Sequence, residues 1–128
     1  MNVIFIEDDP MNRRVVSDML NVAGATMTEA ESGEIGLKLI DENDFDVALV
    51  DLRMPGMDGM TAIQRIRARG DAKAKLPIIV VTADTALDLR ERCLAAGADE
   101  VLFKPVAMDA LFEAMGRILA GGDDGMIL

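Results

Sequence analysis

The residues best suited to chemistry in this sequence are three acids and one lysine, and each closely follows a short apolar run. They are Glu7 and Asp8 after the first run, Asp51 after the third, and Lys104 after the fifth. Short apolar runs of this kind predict buried strands. The carboxyl ends of parallel strands share one edge of a sheet, which is where open α/β folds place their reactive groups. The sequence therefore predicts that these side chains meet at that edge.

The chemistry that fits this set is a Mg2+-assisted transfer of a phosphoryl group. Crowded carboxylates repel one another unless a cation lies between them, and oxygen ligands suit Mg2+. Asp51 can then attack phosphorus as a nucleophile and form an acyl phosphate. The charge on the transferring group requires fixed positive partners, for which the metal and the Lys104 ammonium are available. Thr82, at the end of the fourth apolar run, can donate its hydroxyl to a phosphoryl oxygen.

Composition excludes several other functions. A net charge of −10, from 13 basic and 23 acidic residues, repels nucleic-acid phosphates and argues against nucleic-acid binding. The chain has no histidine, so neither a Ser-His-Asp nor a Cys-His arrangement is available. The single cysteine, Cys93, is expected to be a buried reduced thiol in a helix. No run approaches the roughly 18 apolar residues of a membrane span, and no signal peptide is evident, so we expect a cytoplasmic protein without membrane contact.

Apolar runs and amphipathic stretches alternate along the chain. The predicted strands cover residues 3–6, 26–30, 47–50, 78–82 and 101–103, and the predicted helices residues 11–22, 33–42, 60–69, 87–96 and 108–119. Parallel neighbours require crossover connections, which are right-handed. We therefore predict an α/β fold in which a doubly wound, five-stranded parallel sheet lies between two layers of helices. The domain covers residues 1–120, and residues 121–128, rich in glycine and aspartate, are expected to form a flexible C-terminal tail.

Four short segments in this order resemble the receiver domains of two-component response regulators, and the match covers residues 2–120. The segments are IEDDP at residues 6–10, VDLRMPGMDG at 50–59, VVTA at 80–83 and FKP at 103–105. Each is weak alone, but their order and spacing, together with five strand-helix repeats, make the likeness specific. The resemblance implies a flavodoxin-like (βα)5 fold and a signalling switch similar to single-domain chemotaxis regulators.

The resemblance also implies a set of Mg2+ ligands. Asp8, Asp51 and the backbone carbonyl of Arg53 would bind the ion directly, and Glu7 would act mostly through metal-bound water. Because residues 7–9 are consecutive acids, the choice of the first-strand pair stays open, although the Asn-Arg-Arg that follows favours Glu7 with Asp8. Asp9 precedes a proline that suits the first position of a helix, so it is also well placed as an N-cap.

By the same resemblance, Asp51 is the phosphoacceptor, and Thr82 and Lys104 hold the phosphoryl group. Members of the family often have a cis peptide bond before the proline that matches Pro105. The sequence departs from many receivers at Val101, where an aromatic side chain commonly turns inward on activation. Valine is too short and too stiff at χ1 for that movement, so we expect the signal to travel through residues 83–87 and the fourth helix.

Other polar residues near this set have more than one interpretation. Arg13 and Arg14 either meet the acids of a partner or form a solvated helix face. Arg53 and Asp84, which flank the predicted phosphorylation site, either pair with each other or steer water. Asp58, which precedes a glycine, indicates turn chemistry rather than metal binding.

We therefore predict a switch that accepts a phosphoryl group on Asp51 from a histidine kinase or a histidine phosphotransfer protein, with Mg2+ as cofactor. Its output would come from contacts with a downstream protein, and its only catalysis would be its own phosphoryl transfer and dephosphorylation. Two alternatives stay open: a constitutive binding module without chemistry, and a receiver excised from a hybrid histidine kinase. A Mg2+-dependent phosphatase would need substrate-enclosing loops or a cap domain, for which 128 residues leave no room.

Overall fold

Strands and helices alternate as the sequence predicts, in a computed structural model that describes residues 1–127 and the side chains of residues 1–120. The strands are β1 (Asn2–Ile6), β2 (Thr26–Ala30), β3 (Val47–Asp51), β4 (Ile78–Thr82) and β5 (Glu100–Phe103). The helices are α1 (Pro10–Val22), α2 (Gly33–Glu42), α3 (Gly59–Arg67), α4 (Leu89–Ala96) and α5 (Met108–Ile127). The sequence pattern does not predict the short 3-10 turn, Ala72–Lys75, between α3 and β4.

The strands form one parallel sheet in the order β2-β1-β3-β4-β5. This order confirms the predicted doubly wound, flavodoxin-like fold. The chain winds from β1 outward to β2, and then from β3 outward to β5 in the other direction. The carboxyl ends of β1 and β3 therefore flank the point where the winding reverses, which is where open α/β sheets form their binding crevice.

Helices cover both faces of the sheet and divide the core into two halves. On β1, Val3 and Phe5 pack with residues of α1 and α5, while Ile4 and Ile6 pack with residues of α2, α3 and α4. This alternation follows from the two-residue period of a strand. Strands that are covered on both faces are apolar throughout, which is why β1, β3 and β4 are continuous apolar runs in the sequence. Cys93 on α4 is a buried free thiol, as predicted.

The last helix is longer than the sequence pattern predicts. α5 continues to Ile127 rather than ending near residue 119, because extending an existing helix fixes one residue for each hydrogen bond gained. The predicted flexible tail covers residues 121–128, whose side chains lie outside the described set, as does the whole of Leu128; a separate tail therefore stays a prediction. No helix within residues 1–127 is long and apolar enough to cross a membrane.

The two ends of the helix α4 differ in how they are capped. The Arg67 guanidinium, at the end of α3, donates to the carbonyl oxygen of Gly97 at 2.8 Å and pairs with Asp99 at 3.0 Å. Gly97, the C-cap of α4, has a φ of 119°, and a Cβ there would lie 2.5 Å from the Arg67 side chain, so this position requires glycine. At the other end, the Asp88 side chain makes no capping hydrogen bond.

The connection between β3 and α3 is drawn tightly against the sheet. Asp58 caps α3 by accepting a hydrogen bond from the Thr61 N–H at 2.8 Å, which confirms its predicted turn role. α3 begins at Gly59, where a Cβ would collide with the carbonyl oxygen of Asp51 and with the backbone of Leu52. Because backbone atoms cannot yield as a flexible side chain can, only glycine fits. This close approach fixes residues 52–58 beside the predicted phosphorylation site.

Gly59→Ala is expected to lower the free energy of unfolding by about 1–3 kcal/mol, the usual range for extra volume in a packed site. The added methyl group would push the start of α3 away from β3. Urea unfolding followed by circular dichroism measures the change. Gly116→Ala is the matched control, because a Cβ at that position on α5 meets open space. Equal stability of Gly59→Ala and the wild type would contradict the collision.

Candidate functional site

The described chain has three buried polar side chains, and all of them lie at the carboxyl edge of the sheet. They are Glu7, Asp51 and Thr82, with exposed fractions of 0, 5 and 1 %. β1, β3 and β4 end at or directly before these residues, and the parallel register places the strand ends side by side. Lys104 follows β5 at the same edge, and Asp8 stands exposed on its rim. The edge therefore brings together every side chain that the sequence predicts for the chemistry.

Lys104 supplies positive charge to this site. Its Nζ donates to Glu7 Oε1 at 2.7 Å and lies 3.6 Å from Asp51 Oδ1. Burial alone would lower the pKa of Lys104, but the hydrogen bonds and charges of Glu7 and Asp51 outweigh burial and raise the pKa above its usual value. The lysine is therefore charged throughout the physiological range. The peptide bond between Lys104 and Pro105 is cis, in agreement with the resemblance.

Glu7 is the least solvated acid of the site. Burial raises its pKa above the usual value, the neighbouring Asp51 carboxylate raises it further, and the pairing with Lys104 opposes both effects. Oε1 also accepts a hydrogen bond from Asn12 Nδ2 at 3.0 Å. Oε2 is buried and has no hydrogen-bond partner among the described residues. Because a buried oxygen without a partner is costly, this atom favours an additional donor or a cation nearby.

Glu7, Asp8 and Asp51 form a group that can hold a metal ion. One carboxylate oxygen from each lies within 4.8 Å of the others. Acids at this spacing repel one another, and the oxygen-only ligand set fits Mg2+, which keeps part of its water shell and uses few protein carboxylates. The unpartnered Oε2 agrees with this fit. Asp9 lies outside the group, and its side chain caps α1 by accepting from the Met11 N–H at 2.9 Å.

An ion pair joins the β3–α3 connection to the β4–α4 connection beside Asp51. Arg53 Nη2 lies 3.2 Å from Asp84 Oδ2, so these two residues pair, as one of the two interpretations expects. The backbone N–H of Ala86, and after it Arg53, lowers the pKa of Asp84. The Asp84 N–H donates to Thr82 Oγ1 at 3.1 Å. Because the hydroxyl oxygen accepts this bond, its proton stays available for another acceptor.

Two residues in the first turn of α1 contact Glu7, and the sequence pattern predicts neither contact. Asn12 reaches the carboxylate, and Arg13 Nη1 donates to the backbone carbonyl of Glu7 at 2.8 Å. Arg13 Nε also pairs with Glu29 on β2 at 2.9 Å. Arg13 therefore points into the protein, whereas Arg14 is exposed. Only the position of these two residues in the sequence could have indicated the contacts, because both lie in the first turn of the helix that directly follows Glu7.

One acid joins α4 and α5 across β5. Glu100 lies 2.5 Å from Arg90 of α4 and 3.0 Å from Arg117 of α5. Burial alone would raise the pKa of Glu100, but the two arginines outweigh burial and hold the pKa below its usual value. The next residue, Val101, is buried in the core half that contains Leu89 of α4. Ion pairs, rather than an aromatic ring, therefore connect the elements around this position.

Known proteins are similar to this chain in sequence and in fold. A family model described as the response regulator receiver domain matches residues 3–116. The sensor histidine kinase RcsC of Salmonella typhi is 37 % identical over 115 residues, which cover 90 % of this chain and 12 % of that protein. The virulence sensor protein BvgS of Bordetella bronchiseptica is 34 % identical over 124 residues, which cover 94 % of this chain and 10 % of that protein. The chain thus spans only a small part of these relatives.

Solved structures of a response regulator and of a receiver domain are also similar to this chain. A putative response regulator from Chloroflexus aurantiacus has a TM-score of 0.87 at 30 % identity, covering 93 % of this chain and 97 % of that chain. The receiver domain of a sensor histidine kinase from Pseudomonas aeruginosa has a TM-score of 0.82 at 32 % identity, covering 91 % of this chain and 94 % of that chain. In that receiver domain a magnesium ion is coordinated in the active site cleft.

Glu100→Gln is expected to reduce the pH dependence of unfolding. An acid whose pKa is lowered by folding stabilises the fold above its usual value of 4.5, and this contribution disappears as the pH falls through the lower folded value. The wild type should therefore lose stability more steeply than Glu100→Gln as the pH falls from 4.5 to the lower folded pKa of Glu100. Urea unfolding at a series of pH values measures both slopes. Glu113→Gln, at an exposed partner of Arg117, is the control, and identical slopes for Glu100→Gln and the wild type would contradict the role of the ion pairs.

Proposed function

The chain belongs to the family of response regulator receiver domains, and from that premise we propose that it is a phosphorylation-dependent switch with Asp51 as its phosphoacceptor. One observation carries this proposal. Asp51 is a buried acid at the end of a central strand, 3.6 Å from a lysine and within a group of three acids. A nucleophile, a cation site and a fixed ammonium group are the components that phosphoryl transfer to a carboxylate requires.

In the proposed reaction, a carboxylate oxygen of Asp51 attacks the phosphorus of a phosphohistidine. The new bond joins Oδ to phosphorus, and the bond from phosphorus to the histidine nitrogen breaks with its electron pair passing to that nitrogen. The donor's imidazole, protonated on its other ring nitrogen, therefore leaves as a neutral ring. The product is an acyl phosphate on Asp51. When bound, Mg2+ supplies positive charge that stabilises the oxygens of the transferring group. Asp8, Asp51 and the Arg53 carbonyl would hold the ion, and Glu7 would act through a water molecule.

Lys104 and Thr82 would hold the transferred group. The ammonium of Lys104 is closer to Glu7 than to Asp51, so we expect it to turn toward Asp51 when a phosphoryl group adds negative charge there. The Thr82 hydroxyl accepts from the Asp84 N–H and can donate its own proton to a phosphoryl oxygen. Donors to a charged oxygen form short, strong hydrogen bonds, so both contacts would stabilise the phosphorylated state.

A groove beside the site suits a protein as phosphoryl donor. It lies between α1 and the connection from β5 to α5, and its lining includes Val15, Lys104, Pro105 and Val106. Val15 is 43 % exposed, and Met11, one turn earlier on α1, is 67 % exposed. Exposed apolar side chains next to a reactive group favour a protein partner. We propose that a histidine kinase or a histidine phosphotransfer protein docks here with its phosphohistidine over Asp51.

Two further points of the proposal concern the protein as a whole. A free-standing regulator and a receiver within a hybrid histidine kinase would use this phosphorylation site in the same way. In both cases the output would be a contact with a downstream protein, and the protein would act in the cytoplasm. Its only catalysis would be its own phosphorylation and dephosphorylation. A constitutive binding module is less well supported, because burying Glu7 and Asp51 costs stability that a module without chemistry has no reason to give up.

Acetyl phosphate with Mg2+ is expected to add one phosphoryl group to the wild type and none to Asp51→Asn, because the amide oxygen is a poor nucleophile. Intact-mass spectrometry measures the product. Asp18→Asn makes the same change at an exposed acid on α1 and should be phosphorylated like the wild type. A wild type that binds Mg2+ but keeps its mass under these conditions would favour the constitutive binding module.

Asp8→Ala is expected to weaken Mg2+ binding more than Glu7→Ala, because Asp8 would bind the ion directly and Glu7 through water. Loss of an indirect contact of this kind costs roughly tenfold or more in affinity. Isothermal titration calorimetry measures both variants. Asp9→Ala should instead lower the free energy of unfolding by about 1 kcal/mol, through loss of the α1 cap, and leave the affinity unchanged. Retained binding in Asp8→Ala with lost binding in Asp9→Ala would reverse the assignment.

A further inference from the structure

The two carboxylate oxygens of Glu7 have very different surroundings. Oε1 accepts hydrogen bonds from Lys104 Nζ at 2.7 Å and from Asn12 Nδ2 at 3.0 Å. Oε2 is buried without a hydrogen-bond partner in the part of the chain that the structure describes. Both donors therefore act on one oxygen, and the other oxygen is left for whatever enters the acidic group.

The backbone of Glu7 is fixed independently of its side chain. Its N–H donates to the carbonyl oxygen of Ala30 at the end of β2, at 2.9 Å. Its carbonyl oxygen accepts from Arg13 Nη1 at 2.8 Å, and Arg13 is itself held by Glu29. The side chain is also fully buried, which restricts its first two torsions. The orientation of the carboxylate plane is therefore the main freedom that Glu7 retains.

This orientation depends on a soft torsion angle. The last side-chain torsion of glutamate is broad and nearly two-fold, so a carboxylate with a single donor can turn and follow that donor. Lys104 is such a donor, because its flexible stem can reach Asp51 as well as Glu7. Asn12 has a short side chain on the rigid first turn of α1. Its amide therefore supplies the donor that stays in place.

We propose that Asn12 is a positioning residue of the cation site, which holds Glu7 Oε1 so that Oε2 stays available to the water shell of a bound Mg2+. The inference rests on the proposed function, because it assumes that the acidic group binds a divalent cation. It also explains how Lys104 can leave Glu7 for a phosphoryl group on Asp51. Oε1 then keeps one hydrogen bond, and the carboxylate plane does not change.

The test compares Asn12→Leu with the wild type by calorimetric titration of MgCl2, without a phosphoryl donor. Leucine matches asparagine in size, favours helix and donates no hydrogen bond. We expect the Mg2+ affinity to fall roughly tenfold, as for other residues that orient a metal ligand. The urea midpoint should fall modestly, because Oε1 loses one of its two donors and keeps Lys104. Asn21→Leu, the same change at an exposed position of α1, should leave both values unchanged.

A double-mutant cycle separates positioning from a general effect on α1. If Asn12 acts through Glu7, then Asn12→Leu should have no further effect on Mg2+ affinity in a Glu7→Ala background. Asn12→Gln, which restores an amide donor, should recover part of the affinity. If Asn12→Leu does not fold, Asn12→Ala carries the same comparison.

The outcomes distinguish this inference from the function on which it rests. A wild type that does not bind Mg2+ would overturn the cation site itself. A wild type that binds, with Asn12→Leu binding equally well, would overturn the positioning role alone. Equal losses in Asn12→Leu and Asn21→Leu, or additive losses in the double mutant with Glu7→Ala, would also overturn it, because they would indicate an effect of the helix.

Discussion

The structure depends on keeping two carboxylates, Glu7 and Asp51, out of water at one edge of the sheet. Removing such a charge from water costs several kcal/mol even after relaxation, so the fold must supply compensating charges and donors. Lys104 provides a charge from β5, and Asn12 provides a donor from α1. One oxygen still has no partner among the described residues. The same demand therefore accounts for the pairing of Lys104 with Glu7 and for the fit of a divalent cation.

The two connections that border Asp51 differ in how firmly they are held. The β3–α3 connection is fixed by backbone contact at Gly59 and by the Asp58 cap. The β4–α4 connection is tied to it by Arg53 and Asp84, and the Arg53 side chain is 77 % exposed. Exposed ion pairs contribute about 0–1 kcal/mol. The contact that holds the β4–α4 connection to the β3–α3 connection is therefore weaker than the contacts that hold the β3–α3 connection to the sheet.

Much of the fold and of the candidate site follows from the sequence for a simple physical reason. Strands covered on both faces must be apolar throughout, so their ends are visible, and the parallel topology then brings the strand-end residues Glu7, Asp51 and Thr82 together. The hydrogen-bond and ion-pair partners of each side chain are harder to predict from the sequence, because they depend on distances set by packing. The sequence shows that Lys104 reaches the site but not that it lies nearer to Glu7 than to Asp51. The sequence also does not show that Arg13 turns inward to the Glu7 carbonyl oxygen, because an arginine in the first turn of a helix is usually solvated.

The unequal ends of α4 have a mechanical consequence. Arg67 anchors the carboxyl end at Gly97, while the amino end follows the loosely tied β4–α4 connection and carries the fully exposed Leu87. A helix of eight residues is about 12 Å long. Rotation by roughly 10° about the anchor would thus carry its first residue by about 2 Å, with little movement at the far end. Any such rotation would have to move Leu89, which is buried in the core, and the Arg90–Glu100 ion pair. A displacement of the β4–α4 connection would therefore change the packing between α4 and β5.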